Sequence, residues 1–237
     1  MSQANYFINQ PVFLKYKRRF NIKRMRRQAF IKSAALNERV IEIPFAIKEV
    51  SAMALPCKVL DIGCMESELP LFIAGLGYDV TGFDFRHYPY RVPNFKFVRG
   101  DILDPPFEDN SFDAVTCIST IEHVGIGFYN DPMDTASGAD INAMAQINRI
   151  LRPGGLLALT VPFGRPRVNR HQRVYNTAAL ERLLAGCAIK SMKCFKNILS
   201  GIRNNYWAEI DRSEADSIDC PQAVNCVACV SALNRKE

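Results

Sequence analysis

No apolar run in this chain approaches the ~18 residues needed to cross a bilayer as a helix. The longest, such as 154–161, are the length of a strand. No secretory h-region follows Met1, so the expected location is cytoplasmic, with no transmembrane segment. Internal repeats and low-complexity stretches are missing too, which excludes solenoids and fibrous arrays. Nor is there a G-x-G-x-x-G loop. A dinucleotide sets its pyrophosphate on a bare helix N-terminus, and here Met65, Glu66 and Glu68 would crowd and repel it. That argues against a nicotinamide or flavin enzyme. Eight cysteines are present, but they sit in apolar stretches of a sizeable chain without an export signal, so buried thiols are expected, not disulfides. The C-x-x-C at Cys226–Cys229 has no second pair at zinc spacing and lies in a strand-like run. Asp131, Asp134 and Asp140 match no calcium loop. No metal set is read from the sequence.

What the chain does have is unevenly placed. Residues 1–37 carry nine basic and no acidic side chains, while the remainder carries 21 basic and 24 acidic ones, for a total of +6. Aromatics (Phe13, Tyr16, Phe20, Phe30) interleave with these cations. The reading is a basic N-terminal arm, 1–37, with helical character, followed by one domain, 38–237. The basic stretch 15–32 can contact an anionic surface or nucleic acid, or be a solvated helix docked on its own domain.

From Lys58 onward, short apolar runs alternate with helical patterns. Strands are predicted at Lys58–Asp61, Val80–Asp84, Phe95–Arg99, Phe112–Ile118 and Leu156–Val161, with two more within 188–196 and 224–233. Helices are predicted around Leu69–Leu76, Ile141–Leu151 and Leu180–Leu184, the second stopped by Pro153-Gly154-Gly155 and the third capped by Asn176 or Thr177. This alternation implies an α/β fold, a doubly wound, largely parallel sheet covered on both faces.

Ligands of such sheets bind beyond the C-terminal strand ends, near the switch in strand order. Asp61-Ile62-Gly63-Cys64-Met65-Glu66-Ser67 follows the first strand, Asp84 ends the second, and Gly100-Asp101-Ile102 follows the third. An acid ending the second strand can accept both hydroxyls of a ribose. A carboxylate after the third can accept from an adenine amino group while Ile102 packs on the ring. Three acids from three neighbouring strands outline one nucleoside pocket.

The series KVLDIG, DVTGFD, VRGDI, SFDAVTCISTIEHVG and LRPGGLLALTVP resembles the motifs of class I S-adenosylmethionine (SAM)-dependent methyltransferases, over roughly residues 55–165. The resemblance is to the methyltransferase type 11-like group, with a C-x-E-S first loop whose bearers are linked to glycan or cell-surface acceptors. It implies a seven-stranded sheet with an antiparallel last strand, and SAM as cofactor. It places Asp61 and Gly63 by the methionine part, with Cys64 and Ser67 in the same loop. Asp84 and Phe85 fall at the ribose, Asp101 and Ile102 at the adenine, and Ser119 to His123 beside the methyl group. The family's loop has glycines where this chain has Met65 and Ser67, so Met65 either points away or narrows the pocket.

His123 has the ordinary acidity of a general base, with Glu122 as its orienter or a SAM contact; a structural role at the strand end is the other reading. After the fifth strand, Arg165, Arg167, Arg170, His171 and Arg173 form a basic loop over the expected substrate mouth. Arginine forks suit carboxylate or phosphate, hence a small or glycan-type anionic acceptor, methylated at oxygen. A methyltransferase-like binding module without turnover and an RNA methyltransferase are the alternatives. Residues 124–140, with Gly125 and Gly127 as hinges, read as a lid.

Overall fold

A computed structural model describes residues 37–127, 138–199, 205–221 and 224–236. The chain divides into two units, Met1–Asn37 with Leu199–Asn205 and Glu38–Ile198 with Tyr206–Glu237. Almost all of the first, including the basic arm read over 1–37, lies outside the described residues, as does 128–137 of the expected lid. The second unit is the α/β body.

Its elements run α1 (Arg39–Ser51), β1 (Lys58–Ile62), a 3-10 turn (Cys64–Glu66), α2 (Leu69–Gly75), β2 (Asp79–Asp84), β3 (Phe95–Arg99), β4 (Phe112–Ile118), a second 3-10 turn (Ile121–His123), α3 (Ala139–Ile150), β5 (Leu151–Pro162), β6 (Arg167–Val168), β7 (Arg173–Val174), α4 (Thr177–Leu183), β8 (Cys187–Leu199), β9 (Asn205–Ile210), α5 (Arg212–Ala215) and β10 (Cys226–Asn234). The main sheet has the order β3-β2-β1-β4-β5-β10-β8-β9. The first five strands pair in parallel, and β10 runs antiparallel to both β5 and β8. The sheet thus has eight strands, not the seven expected. The additional strand, β9, lies at the sheet edge, and its six residues carry too weak an apolar alternation to stand out in the sequence.

The side chains explain why the sheet is covered twice. Successive residues of a strand face opposite ways. Val59 and Val80 pack with Ala46 and Val50 of α1 and Leu69 and Ile73 of α2. Leu60 and Phe83 pack on the other face with Ala143, Met144, Ile147 and Ile150 of α3. Strands buried on both faces read as continuous apolar runs. The buried stripe of α3 starts at Ala139 and Asp140, so Ile141, expected in that stripe, is instead 42% exposed. All eight cysteines are buried and unpaired. No helix among the described residues is long and apolar enough to cross a membrane.

Pro153-Gly154-Gly155 turns the chain from α3 into the apolar part of β5. The Asn234 amide at the end of β10 locks that turn, donating to the carbonyls of Leu151 at 2.6 Å, Asn148 at 2.9 Å and Arg152 at 3.3 Å. Removing the donors strands three inward carbonyls. Asn234→Ala is expected to lower unfolding stability by about 1–3 kcal/mol, read as a lower urea midpoint at unchanged m-value.

Candidate active site

The strand order reverses between β1 and β4, the place where open α/β sheets bind ligands. Along this C-terminal edge the neighbours read, in spatial order, Asp101 after β3, Asp84 ending β2, Gly63 after β1, and Ser119 after β4. Three inter-strand steps of about 4.8 Å span ~14 Å. A cleft of about 860 Å³, counting its open mouth, runs along these ends, and Gly63, Asp84, Phe85, Asp101, Ile102, Ser119 and His123 all line it.

Gly63 makes the cleft possible. Its φ is +76°, and its N–H donates to the Phe83 carbonyl at 2.8 Å. A Cβ there would overlap the Thr120 side chain, Oγ1 first. The loops after β1 and β4 therefore cross at a separation that only glycine permits. Met65 stands where the family carries glycine, but its side chain is not part of the cleft lining. Its backbone N–H donates to Asp84 Oδ2 at 3.0 Å. The other Asp84 oxygen accepts from the Arg86 N–H at 2.9 Å and from Arg86 Nε at 3.4 Å. A carboxylate offers about four acceptor sites, so Asp84 keeps capacity for a ligand hydroxyl while tying two loops together.

Several expected residues lie behind the cleft. Cys64 is fully buried. Ser67 Oγ accepts from the Leu69 N–H at 3.0 Å, at the start of α2. Asp61 is 2% exposed and accepts from Thr116 Oγ1 at 2.5 Å; it braces β1 on β4. Burial pushes its carboxyl up to about 7, against the pull of Thr116 and Arg39. Glu122 is 1% exposed, and its Oε2 has no partner among the described residues. Burial raises its carboxyl well above the ordinary range, which disfavours the anion that would orient His123. Glu122 Oε1 lies 3.8 Å from His123 Nε2, beyond hydrogen-bond reach.

The basic loop also divides. Arg165 and Arg170 are exposed, the latter donating to His171 Nε2 at 2.8 Å. Arg167 pairs with Asp219 at 3.2 Å. Arg173, expected at the substrate, is turned inward with 12% of its side chain exposed. Its Nη1 donates to the carbonyls of Val124 at 2.5 Å and Glu122 at 3.4 Å. Two backbone acceptors left bare by the turn after β4 explain this placement.

Sequence reading missed Arg39 and Glu42, because nothing local marks α1 as part of a site 80 residues further on. Arg39 lines the cleft, and its Nη1 donates to the Ile118 carbonyl at 3.2 Å and to Glu42 Oε2 at 3.4 Å. Glu42 Oε1 accepts from Ser119 Oγ at 2.5 Å and Thr160 Oγ1 at 2.7 Å. Burial pushes the Glu42 carboxyl up, while Arg39 and the two hydroxyls pull it down. Ser119 holds φ +43°, a left-handed conformation rarely taken by residues other than glycine, and Glu42 and Thr160 fasten it there. Glu66 and Arg86 form a further ion pair at 2.7 Å on the lining.

Residues 60–159 match the family model described as a methyltransferase domain. Among curated proteins, the demethylmenaquinone methyltransferase of Staphylococcus aureus is 33% identical over 111 residues, 42% of this chain and 41% of that protein. The α/β body is similar to class I SAM-dependent methyltransferases. The match thus spans about two fifths of the curated relative's length. Solved SAM-dependent methyltransferases share the fold. A 1,6-didemethyltoxoflavin-N1-methyltransferase of Burkholderia thailandensis, solved with bound 1,6-didemethyltoxoflavin and S-adenosylhomocysteine, is 17% identical at a TM-score of 0.59, covering 89% of this chain and 87% of that one. A SAM-dependent methyltransferase of Methanosarcina mazei gives 16% and 0.53, covering 79% and 96%.

The buried acid Asp61 generates a pH test. An unfolded aspartate titrates near 3.9, so between about pH 4 and 7 the native state holds a proton that the unfolded chain has lost. The stability this gives is complete below about pH 4 and disappears as pH rises through about 7. Asp61→Asn removes the titration. Between about pH 5 and 8 its urea-derived stability should fall less steeply than that of the parent, by on the order of 2 kcal/mol. Equal slopes would contradict the burial argument.

Proposed function

We propose that this protein is a SAM-dependent methyltransferase that acts on an oxygen of a small or glycan-type anionic acceptor. One observation carries the reading: acid, acid, glycine and hydroxyl follow one another along a single sheet edge, lining one cleft. The lining fits the cofactor part by part. Ile102 and Phe83 offer an apolar slot beside Asp101, suited to accept from an adenine amino group. Asp84 accepts from the ribose hydroxyls. Gly63 lets the backbone approach the ligand closely. Arg39, beyond Ser119, supplies a guanidinium for a carboxylate. When bound, SAM supplies an electrophilic methyl carbon on a sulfonium.

The chain's own part is to position the acceptor and move a proton. His123 lies on the lining just past β4, where the methyl group falls, and serves as general base toward the acceptor hydroxyl. Holding nucleophile and methyl in line replaces a bimolecular encounter with a fixed geometry. The exposed Arg165 and Arg170 suit an anionic acceptor, and Arg167 joins them if it leaves Asp219. Met65 gives no support to an inactive module, since its side chain stays off the lining and its N–H helps hold Asp84.

Calorimetry with SAM and S-adenosylhomocysteine tests the reading. Micromolar binding of both is expected, and no binding below about millimolar concentration would sink it. Asp84→Ala should weaken SAM binding by about 1–3 kcal/mol, because a charged acceptor of the ribose is lost. An unchanged affinity would move the nucleoside elsewhere.

A further inference from the structure

The general base has its own positioning device, built from the hairpin β6–β7. His123 Nδ1 lies 2.6 Å from the main-chain carbonyl oxygen of His171. A carbonyl can only accept, so Nδ1 must carry the proton. In a neutral imidazole the other nitrogen is then the proton acceptor. The partner across this bond is a backbone atom, so its position is set by the fold of the hairpin and not by a rotamer.

That fold is fixed by Asn169. The strands pair with Val168 opposite Arg173, leaving residues 169–172 as the connection. Asn169 Oδ1 accepts from the N–H groups of His171 at 2.7 Å and Gln172 at 2.9 Å, and its own N–H donates to the Gln172 carbonyl at 3.1 Å. One side chain thus closes the turn from inside and aims the His171 carbonyl outward. Its amide nitrogen donates to the Pro221 carbonyl at 3.3 Å, anchoring the turn to the body. On the other flank, Arg173 grips the carbonyls of Glu122 and Val124 on either side of His123. Its Nε also lies 3.8 Å from Asp140, which accepts from Tyr175 Oη at 2.9 Å. The hairpin therefore holds the histidine at its ring and at the carbonyls of both neighbouring residues.

We infer that Asn169 is a positioning residue: through the His171 carbonyl it locks His123 in the Nδ1–H tautomer, with Nε2 as the nitrogen that takes the acceptor's proton. The inference rests on the methyltransferase reading for its chemistry, but the tautomer is a property of the protein alone. A mobile imidazole would divide its time between two tautomers and several orientations. A locked one presents a single basic nitrogen, which is what in-line transfer to a hydroxyl requires.

Long-range proton–nitrogen NMR correlation on the full-length, nitrogen-15-labelled chain reads tautomers directly. The chain has only three histidines, and loss of one ring in His123→Gln assigns the signal. At a pH where the ring is neutral, the parent should show Nδ1 protonated and Nε2 unprotonated at His123. An Nε2–H tautomer would overturn the inference without any hairpin variant. In Asn169→Ala the two nitrogen shifts should converge toward a tautomer average, and in Asn169→Asp, whose carboxylate can accept the same two N–H groups, they should return. Asn169→Ala folded by near-ultraviolet circular dichroism with the parent's tautomer would overturn the role of Asn169. Once an acceptor is turned over, Asn169→Ala should lower kcat about ten- to a hundredfold with SAM affinity unchanged; a loss confined to SAM affinity would count against it. A chain that keeps the Nδ1–H tautomer but binds no SAM refutes the proposed function and leaves this inference standing.

Discussion

The close crossing of the loops after β1 and β4 is the constraint on which the cleft depends. Parallel strands deliver their C-terminal ends to one edge, but a cleft forms there only if neighbouring loops part above the sheet while their bases stay packed. At Gly63 and Thr120 the bases meet with no room for a Cβ. Above them the chain diverges, one branch toward Asp84 through the Met65 N–H, the other toward His123. The single Thr120 hydroxyl proton is within reach of the carbonyls of Ile118, at 2.9 Å, and Ile62, at 3.3 Å, and bridges the ends of β4 and β1. Glycine is demanded here by packing between two protein segments. That requirement is separate from ligand approach, and it explains why this glycine stays although the other two glycine positions of the loop carry Met65 and Ser67.

Around that crossing the protein buries four carboxyl groups, those of Asp61, Asp84, Glu42 and Glu122. Burying a charge is costly unless it is paired and hydrogen-bonded, and the four meet this cost differently. Asp84 is held by two backbone N–H groups and Arg86. Glu42 takes two hydroxyls and a guanidinium. Asp61 has one short hydroxyl bond and a carboxyl raised to about 7. Glu122 has an oxygen without a partner among the described residues, and burial raises its carboxyl well above the ordinary range. Asp84 and Glu42 are each held by three protein donors, and of the four only Asp84 is on the cleft lining.

How much of this was legible depended on range. Strand positions showed through because burial on both faces writes continuous apolar runs, and the acids at the ends of β2 and β3 showed through because topology fixes where strand ends go. Residues whose role is set by a distant partner did not. Asp61 and Asp84 look alike in sequence, each an acid ending a strand, yet one faces Thr116 inside the sheet and the other lines the cleft. Arg39 and Glu42 reach the site from a helix before β1, and their partners Ser119 and Thr160 are 77 and 118 residues from Glu42. β9 escaped notice because an edge strand needs no strong pattern.

The arginines of the basic loop carry the same lesson into the chemistry. By composition they are interchangeable: four guanidiniums within nine residues, all suited to an anion. The structure separates them by what each neighbouring backbone needs. A turn that projects His123 over the cleft leaves the carbonyls of Glu122 and Val124 without helical or strand partners, and a buried carbonyl without a donor is destabilising. Arg173 answers both from the one position in β7 that faces the turn. The charge expected at a substrate is thus used to hold the turn that carries His123, while Arg165 and Arg170 stay exposed. Charge density in a loop marks a functional region; backbone hydrogen-bond accounting decides which of its charges the fold itself consumes.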